Sequence, residues 1–86
     1  MSDQLTARVM QVIANTQHLP VESIAIDKTF ADLKIDSLDG MNILFAVESE
    51  FDIAIPDDQA AEIKSVRDMV EGIYKLVSAK EAAHQG

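Results

Sequence analysis

Apolar residues recur at helical spacing in three separate stretches of this chain, and each stretch has its own start signal. Near the beginning, Leu5, Val9, Val12, Ile13 and Thr16 share one face of a helix over about 3–17, with Ser2 or Asp3 placed to cap it and Pro20 beyond its end. Near the finish, Val66, Met69, Val70, Ile73, Tyr74 and Val77 do the same over about 66–79. That helix starts behind Ser65-Val66-Arg67-Asp68, a Ser-x-x-acid sequence whose serine can take up a first-turn N–H. On this pattern Tyr74 belongs with the core. In the middle, Asp36 caps a helix running from Ser37 to about Glu50, and Pro56 with Asp57 and Asp58 opens a brief one reaching about Ile63. Between His18 and Ile35 no period is sustained. That stretch still holds Leu19, Val21, Ile24, Ile26, Phe30, Leu33 and Ile35, too many apolar groups for a free linker, so it is expected to pack irregularly on the helices with a short helical turn near residues 21–23.

Length and composition narrow the fold. A chain of 86 residues, 48% hydrophobic, supports one modest core and excludes a deep multi-lobed active site. Three Gly, two Pro, three Phe, one Tyr and no Trp argue against a β-sandwich and for a small all-α fold. One domain is expected over residues 1–79, followed by a polar tail, 80–86, that frays. With no cysteine, the chain supplies no disulfide, zinc thiolate or thiol nucleophile, so any sulfur chemistry must be borrowed.

Charge sharpens the picture through its placement. The formal net charge is −8, which disfavours nucleic acid as a partner. From Ile35 to Ile63 there are eight acids (Asp36, Asp39, Glu48, Glu50, Asp52, Asp57, Asp58 and Glu62) and no Lys or Arg. The remainder is balanced, so the middle third holds all the excess negative charge, either as a plain solubilising surface or as a field that steers a basic partner. No apolar run is long enough to span a bilayer, and the first residues lack a secretory pattern. The expectation is a cytoplasmic monomer without stable membrane insertion.

The central helix carries two apolar arcs. Ile43, Leu44, Val47 and Phe51 fall on one side with Gly40 among them, while Leu38, Met41 and Phe45 fall nearly opposite, beside Asn42, Glu48 and Ser49. In so small a domain both arcs are not easily buried. The second arc is either a docking surface with acids around it or a patch covered by the long connection. Ser37 stands in the first turn, where unpaired amides and the helix dipole favour an anion, and its hydroxyl is at the surface. On position alone it is a polar first-turn residue or an acceptor of a phosphate ester.

Asp36-Ser37-Leu38 resembles the Asp-Ser-Leu signature of acyl carrier proteins. Phe30-Ala31-Asp32-Leu33 ahead of it, and Glu48-Ser49-Glu50-Phe51-Asp52-Ile53-Ala54-Ile55-Pro56-Asp57 behind it, extend the likeness from about Leu5 to Val77. The resemblance implies a four-helix bundle with a long first loop and a short third helix. It also implies that the chain is not an enzyme. A phosphopantetheinyl transferase, using Mg²⁺, would move 4'-phosphopantetheine from coenzyme A onto Ser37, and the arm's thiol would hold cargo as a thioester. By the same resemblance Asp36, Leu38, Asp39, Met41 and Glu48 meet partner enzymes that present basic patches, flanked by Phe45 and Ile63. The cargo would belong to fatty acid, polyketide or related acyl metabolism, with an aminoacyl or peptidyl carrier as the alternative. Three positions depart from the family pattern: Lys34 where many members have Gly, Gly40 where many have a larger residue, and Asn42 where many have an acid. These departures favour a specialised carrier over a housekeeping one. A helix-interior Gly costs about 1 kcal/mol relative to Ala, which close packing, room for cargo or room for a partner would offset.

Rival chemistries fare worse. A hydrolase built on Ser37 needs a base, and only His18 and His84 are available. With Gly40 at position six of a calcium loop, Ile35 and Ala46 would occupy positions that demand carboxylates. No metal site is expected, since no second His or Cys lies at ligand spacing from His18. A helical adaptor that binds through Leu38, Met41 and Phe45 without a prosthetic group remains the main rival.

Overall fold

The faces singled out by periodicity converge on one core. A computed structural model describes the backbone of residues 3–85 and the side chains of residues 4–81. It contains α1 (Asp3–Gln17), α2 (Ser37–Phe51), α3 (Asp57–Glu62) and α4 (Val66–Gln85), with a 3₁₀ turn at Val21–Ser23 and no strand among the described residues. Val9 and Ile13 of α1, Ile43 and Val47 of α2, and Val66, Met69, Val70 and Ile73 of α4 are fully buried. Leu5, Val12, Leu44, Ile63 and Val77 pack at the margins of this cluster. Burying a Val, Leu, Ile or Met side chain is worth about 1.5–3 kcal/mol, so these eight residues hold the three long helices together.

The long connection packs as its apolar content requires. Ile24 and Ile35 are buried, and Leu19, Val21, Ile26, Phe30 and Leu33 lie against the core. A backbone bridge joins Thr29 to Ser65, with the Phe30 N–H donating to Lys64 O and the Val66 N–H to Lys28 O, each at 3.0 Å. Those bonds tie the first loop to the start of α4. Within the loop the Asp32 N–H donates to Thr29 Oγ1 at 3.0 Å and the Thr29 N–H to Asp32 Oδ2 at 3.1 Å. Hydrogen bonding to the Asp32 carboxylate from the Thr29 amide, and then from the Thr29 side chain, holds that carboxyl below the usual carboxylate range.

Three non-glycine residues adopt the left-handed backbone, His18 (φ 56°), Lys34 (φ 60°) and Asp52 (φ 54°), and each closes a helical turn. The next residue donates back over it: Leu19 to Ala14 O at 3.0 Å, Ile35 to Phe30 O at 2.9 Å and Ile53 to Glu48 O at 3.1 Å. Lys34 thus occupies a conformation that suits glycine, at a cost of roughly 1–2 kcal/mol for an L-residue.

The helix starts follow the sequence in part. Asp36 Oδ1 accepts the Asp39 N–H at 2.8 Å, Ser65 Oγ accepts the Asp68 N–H at 3.0 Å, and Asp68 Oδ2 accepts the Lys64 N–H at 3.1 Å. A single side-chain cap therefore opens α2, and a reciprocal pair opens α4. No side chain caps α3, whose N-cap is Pro56; Asp57 and Asp58 act there only through charge at the dipole's positive end. Ser2, a candidate cap for α1, lies outside the described residues. The last helix continues beyond 79 to Gln85, because 79–85 contains no Gly or Pro to stop it. Tyr74, assigned to the core by its spacing, is 41% exposed. It stands one position past Ile73, which occupies the buried line.

Candidate functional site

The Asp36 cap fixes the geometry around Ser37. Asp36 has extended backbone (φ −86°, ψ −177°), so the chain enters the helix at a sharp angle and Ser37 becomes the first helical residue. The Asp36 carboxylate takes up the Asp39 N–H, and the Gly40 N–H donates to Asp36 O at 2.9 Å. The amides of Ser37 and Leu38 have no acceptor inside the helix, as the first turn of any helix dictates. Ser37 is itself exposed. The arrangement presents a primary hydroxyl at the protein surface over two outward amides, a place that tolerates an anionic ester.

Two surfaces flank that hydroxyl. On one side Leu38, Met41 and Phe45 are 71%, 51% and 60% exposed, so the long connection does not fold over the second apolar arc of α2. Asp36 lies exposed and Asp39 half-buried beside it. On the other side a groove of about 570 Å³ runs between α2 and α3, bounded by Ser37, Gly40, Met41 and Leu44 and, across from them, by Ala60, Ala61 and Ile63. Its size falls in the range of small-molecule sites. Met41 belongs to both surfaces.

The other residues named as partner contacts divide. Glu48 is half-buried, and its Oε2 accepts the Ile55 N–H at 2.8 Å, so this carboxylate holds the loop after α2. Ile63 is half-buried in the groove wall. No histidine lines the groove beside Ser37 among the described residues, and His18 ends α1. Nor do the described residues contain a group of three His, Cys, Asp or Glu able to hold a metal ion.

Sequence reasoning named Ile63 but missed the rest of the far wall of the groove. Ala60 and Ala61 are legible only as two small residues in a short helix, and Lys64, also in the lining, carries no pattern at all. Of the three offsets expected for Gly40, the structure removes one: a Cβ there would meet nothing within 4 Å. Close helix packing is therefore not what the glycine serves.

The far end of α2 is fastened separately. Arg8 Nη2 lies 2.9 Å from Glu50 Oε2, with its guanidinium 4.5 Å from the Phe51 ring centroid. Lys80 Nζ donates to Asp52 O at 2.8 Å and to Asp52 Oδ2 at 2.9 Å, which places a cation on the negative end of the helix dipole. The hydrogen bond and charge of Lys80 hold the Asp52 carboxyl below its ordinary value. No described helix is long and apolar enough to cross a membrane.

Comparison with known proteins adds what geometry alone does not give. A family model described as "Phosphopantetheine attachment site" matches residues 7–73. The acyl carrier protein of Rickettsia bellii (strain RML369-C) is 40% identical over 72 residues, covering 83% of this chain and 84% of that protein. The mitochondrial acyl carrier protein of Dictyostelium discoideum is 36% identical over 77 residues, covering 90% of this chain and 64% of that one. Among solved structures, the acyl carrier protein from Thermotoga maritima superposes with a TM-score of 0.78 at 24% identity, over 88% of this chain and 89% of that one. It shares the four-helix fold.

Proposed function

The chain belongs to the phosphopantetheine-attachment family of acyl carrier proteins and bears 4'-phosphopantetheine as its covalent cofactor, and on that premise we propose that Ser37 is the residue that carries it. The observation that supports this most is the exposed Ser37 hydroxyl on the first turn of a capped helix, inside the matched residues and beside an open groove. The surroundings fit the group. The Ser37 and Leu38 amides, which have no acceptor inside the helix, would be available to a phosphodiester on Ser37, and the groove of about 570 Å³ beside it would offer the arm room.

In this reading Ser37 Oγ would take the phosphopantetheinyl group, its new P–O bond replacing the pyrophosphate link of coenzyme A. The adenosine bisphosphate half leaves, and the serine proton passes to a base on the transferase. When bound, the group supplies the thiol that a chain without cysteine lacks, and acyl groups ride on it as thioesters. The polypeptide's own part is to hold the attachment point rigid and exposed while other proteins do the chemistry. Partner enzymes are a property of carriers as a family. Here the proposed contact is Leu38, Met41 and Phe45 for affinity, with Asp36 and Asp39 for orientation against a basic patch. A cytosolic location, monomeric action and the absence of intrinsic catalysis are parts of the same proposal.

The test is intact mass after incubation with coenzyme A, Mg²⁺ and a broad-specificity phosphopantetheinyl transferase. One phosphopantetheinyl group is expected on the wild type and none on Ser37→Ala. Folded wild type that stays unmodified, or a gain that survives in Ser37→Ala, would overturn the assignment. Offering acyl and aminoacyl ligases to the loaded protein separates an acyl carrier from the aminoacyl type.

A further inference from the structure

Resting on the assignment of Ser37, we infer that Gly40 is a positioning residue that seats the branched first segment of the phosphopantetheine arm against α2. Gly40 lies inside a helix, and its backbone is not left-handed, so nothing in its conformation calls for glycine. A Cβ there meets nothing within 4 Å, so nothing in the packing calls for it either. The other helix-interior glycine behaves differently: a Cβ on Gly72 would come within 3.2 Å of Gln59 Nε2. At Gly40 the protein forgoes helix propensity and leaves an open space in return.

That space has a definite address. Gly40 follows Ser37 by three residues, which puts the two positions side by side on one face of the helix, with Cβ sites about 5–6 Å apart. Both line the groove that Ala60 and Ala61 wall from α3. What hangs on Ser37 at that range is set by the chemistry of the arm. After the phosphate and a single methylene comes a quaternary carbon with a pair of methyl groups, the bulkiest and most apolar point near the attachment. A side chain at position 40 would compete with that carbon for the same volume. Without one, the methyl pair can rest on α2 next to the half-exposed Met41 and direct the rest of the arm along the alanines of α3. Gly40 therefore acts on the arm, and not on the fold.

The experiment compares apo and fully loaded protein by amide chemical shifts and by nuclear Overhauser contacts from the arm's methyl pair, in wild type, Gly40→Ala and Gly40→Leu. Intact mass first establishes complete loading. In the wild type, loading should shift the Ala60 and Ala61 amides and produce contacts from the methyl pair to Met41 and Ala61. Gly40→Ala should weaken these signals, and Gly40→Leu should remove more than half of the shift. Wild type loaded with an arm lacking the methyl pair should show the same loss of the Ala60 and Ala61 amide shifts, a check that needs no variant to fold. Shifts and contacts of equal size in Gly40→Leu and wild type, or none in the wild type, would overturn the inference. A wild type that takes up no arm is a different failure, visible in the mass, which removes the Ser37 assignment and this inference with it.

Discussion

Gly40 and Gly72 offer a matched pair of substitutions whose outcomes should differ for one structural reason. Both lie inside helices with ordinary backbone, so alanine brings each the same gain in propensity, about 0.8–1 kcal/mol. At Gly40 the added methyl meets nothing within 4 Å, and the whole gain should appear. At Gly72 the methyl would stand 3.2 Å from Gln59 Nε2 and 3.8 Å from Ile63 Cδ1, so the amide must give way by a few tenths of an ångström. That amide donates to Gly72 O at 3.4 Å, already a long bond, and the displacement breaks it. Losing a partly buried hydrogen bond costs about 0.5–1.5 kcal/mol, which cancels the propensity gain. Urea unfolding of the apo protein at constant m-value is the assay. Gly40→Ala should raise stability by about 1 kcal/mol, which is about 4–8 °C in Tm for a domain of this size. Gly72→Ala should lie near zero, and adding Gln59→Ala to it should recover part of the gain. A Gly40→Ala protein no more stable than wild type, or a Gly72→Ala gain as large, would refute the reasoning.

Two further outcomes follow from polar contacts. Glu48→Ala removes the carboxylate that accepts the Ile55 N–H at 2.8 Å, and the apo protein should lose about 1.5 kcal/mol, the lower end for a bond to a charged group because the site is only partly buried. Glu48→Gln, which keeps an acceptor, should retain more than half of that; an unchanged unfolding midpoint in Glu48→Ala would show the carboxylate free for partners instead. Asp52 is held below its ordinary value by Lys80, so its folded pKa lies below the unfolded value of about 3.9. Its contribution is therefore complete above about pH 4 and is lost as the pH falls through the folded value. Titration of the Asp52 carboxyl by NMR in Lys80→Met should show its pKa moving up to the ordinary range, and no movement would refute the pairing.

Much of this was legible from the chain because helical periodicity reports directly on burial. Ile43, Val47 and Phe51 are buried and Leu38, Met41 and Phe45 are exposed, as the two arcs of α2 require. The caps at Asp36 and Ser65 were readable because each needs only one side chain and an amide three residues on. Apart from Ile63, the far wall of the site was not readable. It depends on how α3 sits against α2, a tertiary relation that six residues of short helix do not encode in any period. Tyr74 failed for a related reason: a periodic pattern assigns a stripe, and the edge of the stripe is decided by which neighbour reaches it. The acceptor role of Glu48 was not readable either, because it depends on a loop seven residues away folding back over it.

Both flanks of Ser37 are open, and α3 is short beside α2. At 1.5 Å per residue, α2 with its 15 residues is about 22 Å long, while α3 with 6 spans about 9 Å. A helix of that length covers less than half of its neighbour. It faces Gly40, Met41 and Leu44 across the groove, while Leu38, Phe45 and half of Met41 stay exposed, although burying three such side chains would stabilise the domain by several kcal/mol, at about 1.5–3 kcal/mol each. No described element of the domain covers that arc. The exposed arc is a surface that a protein partner can bury in its place, and the open groove is a surface for whatever is tethered. The core on the opposite face of α2, where Ile43 and Val47 are fully buried, keeps the helix fixed while both are in use.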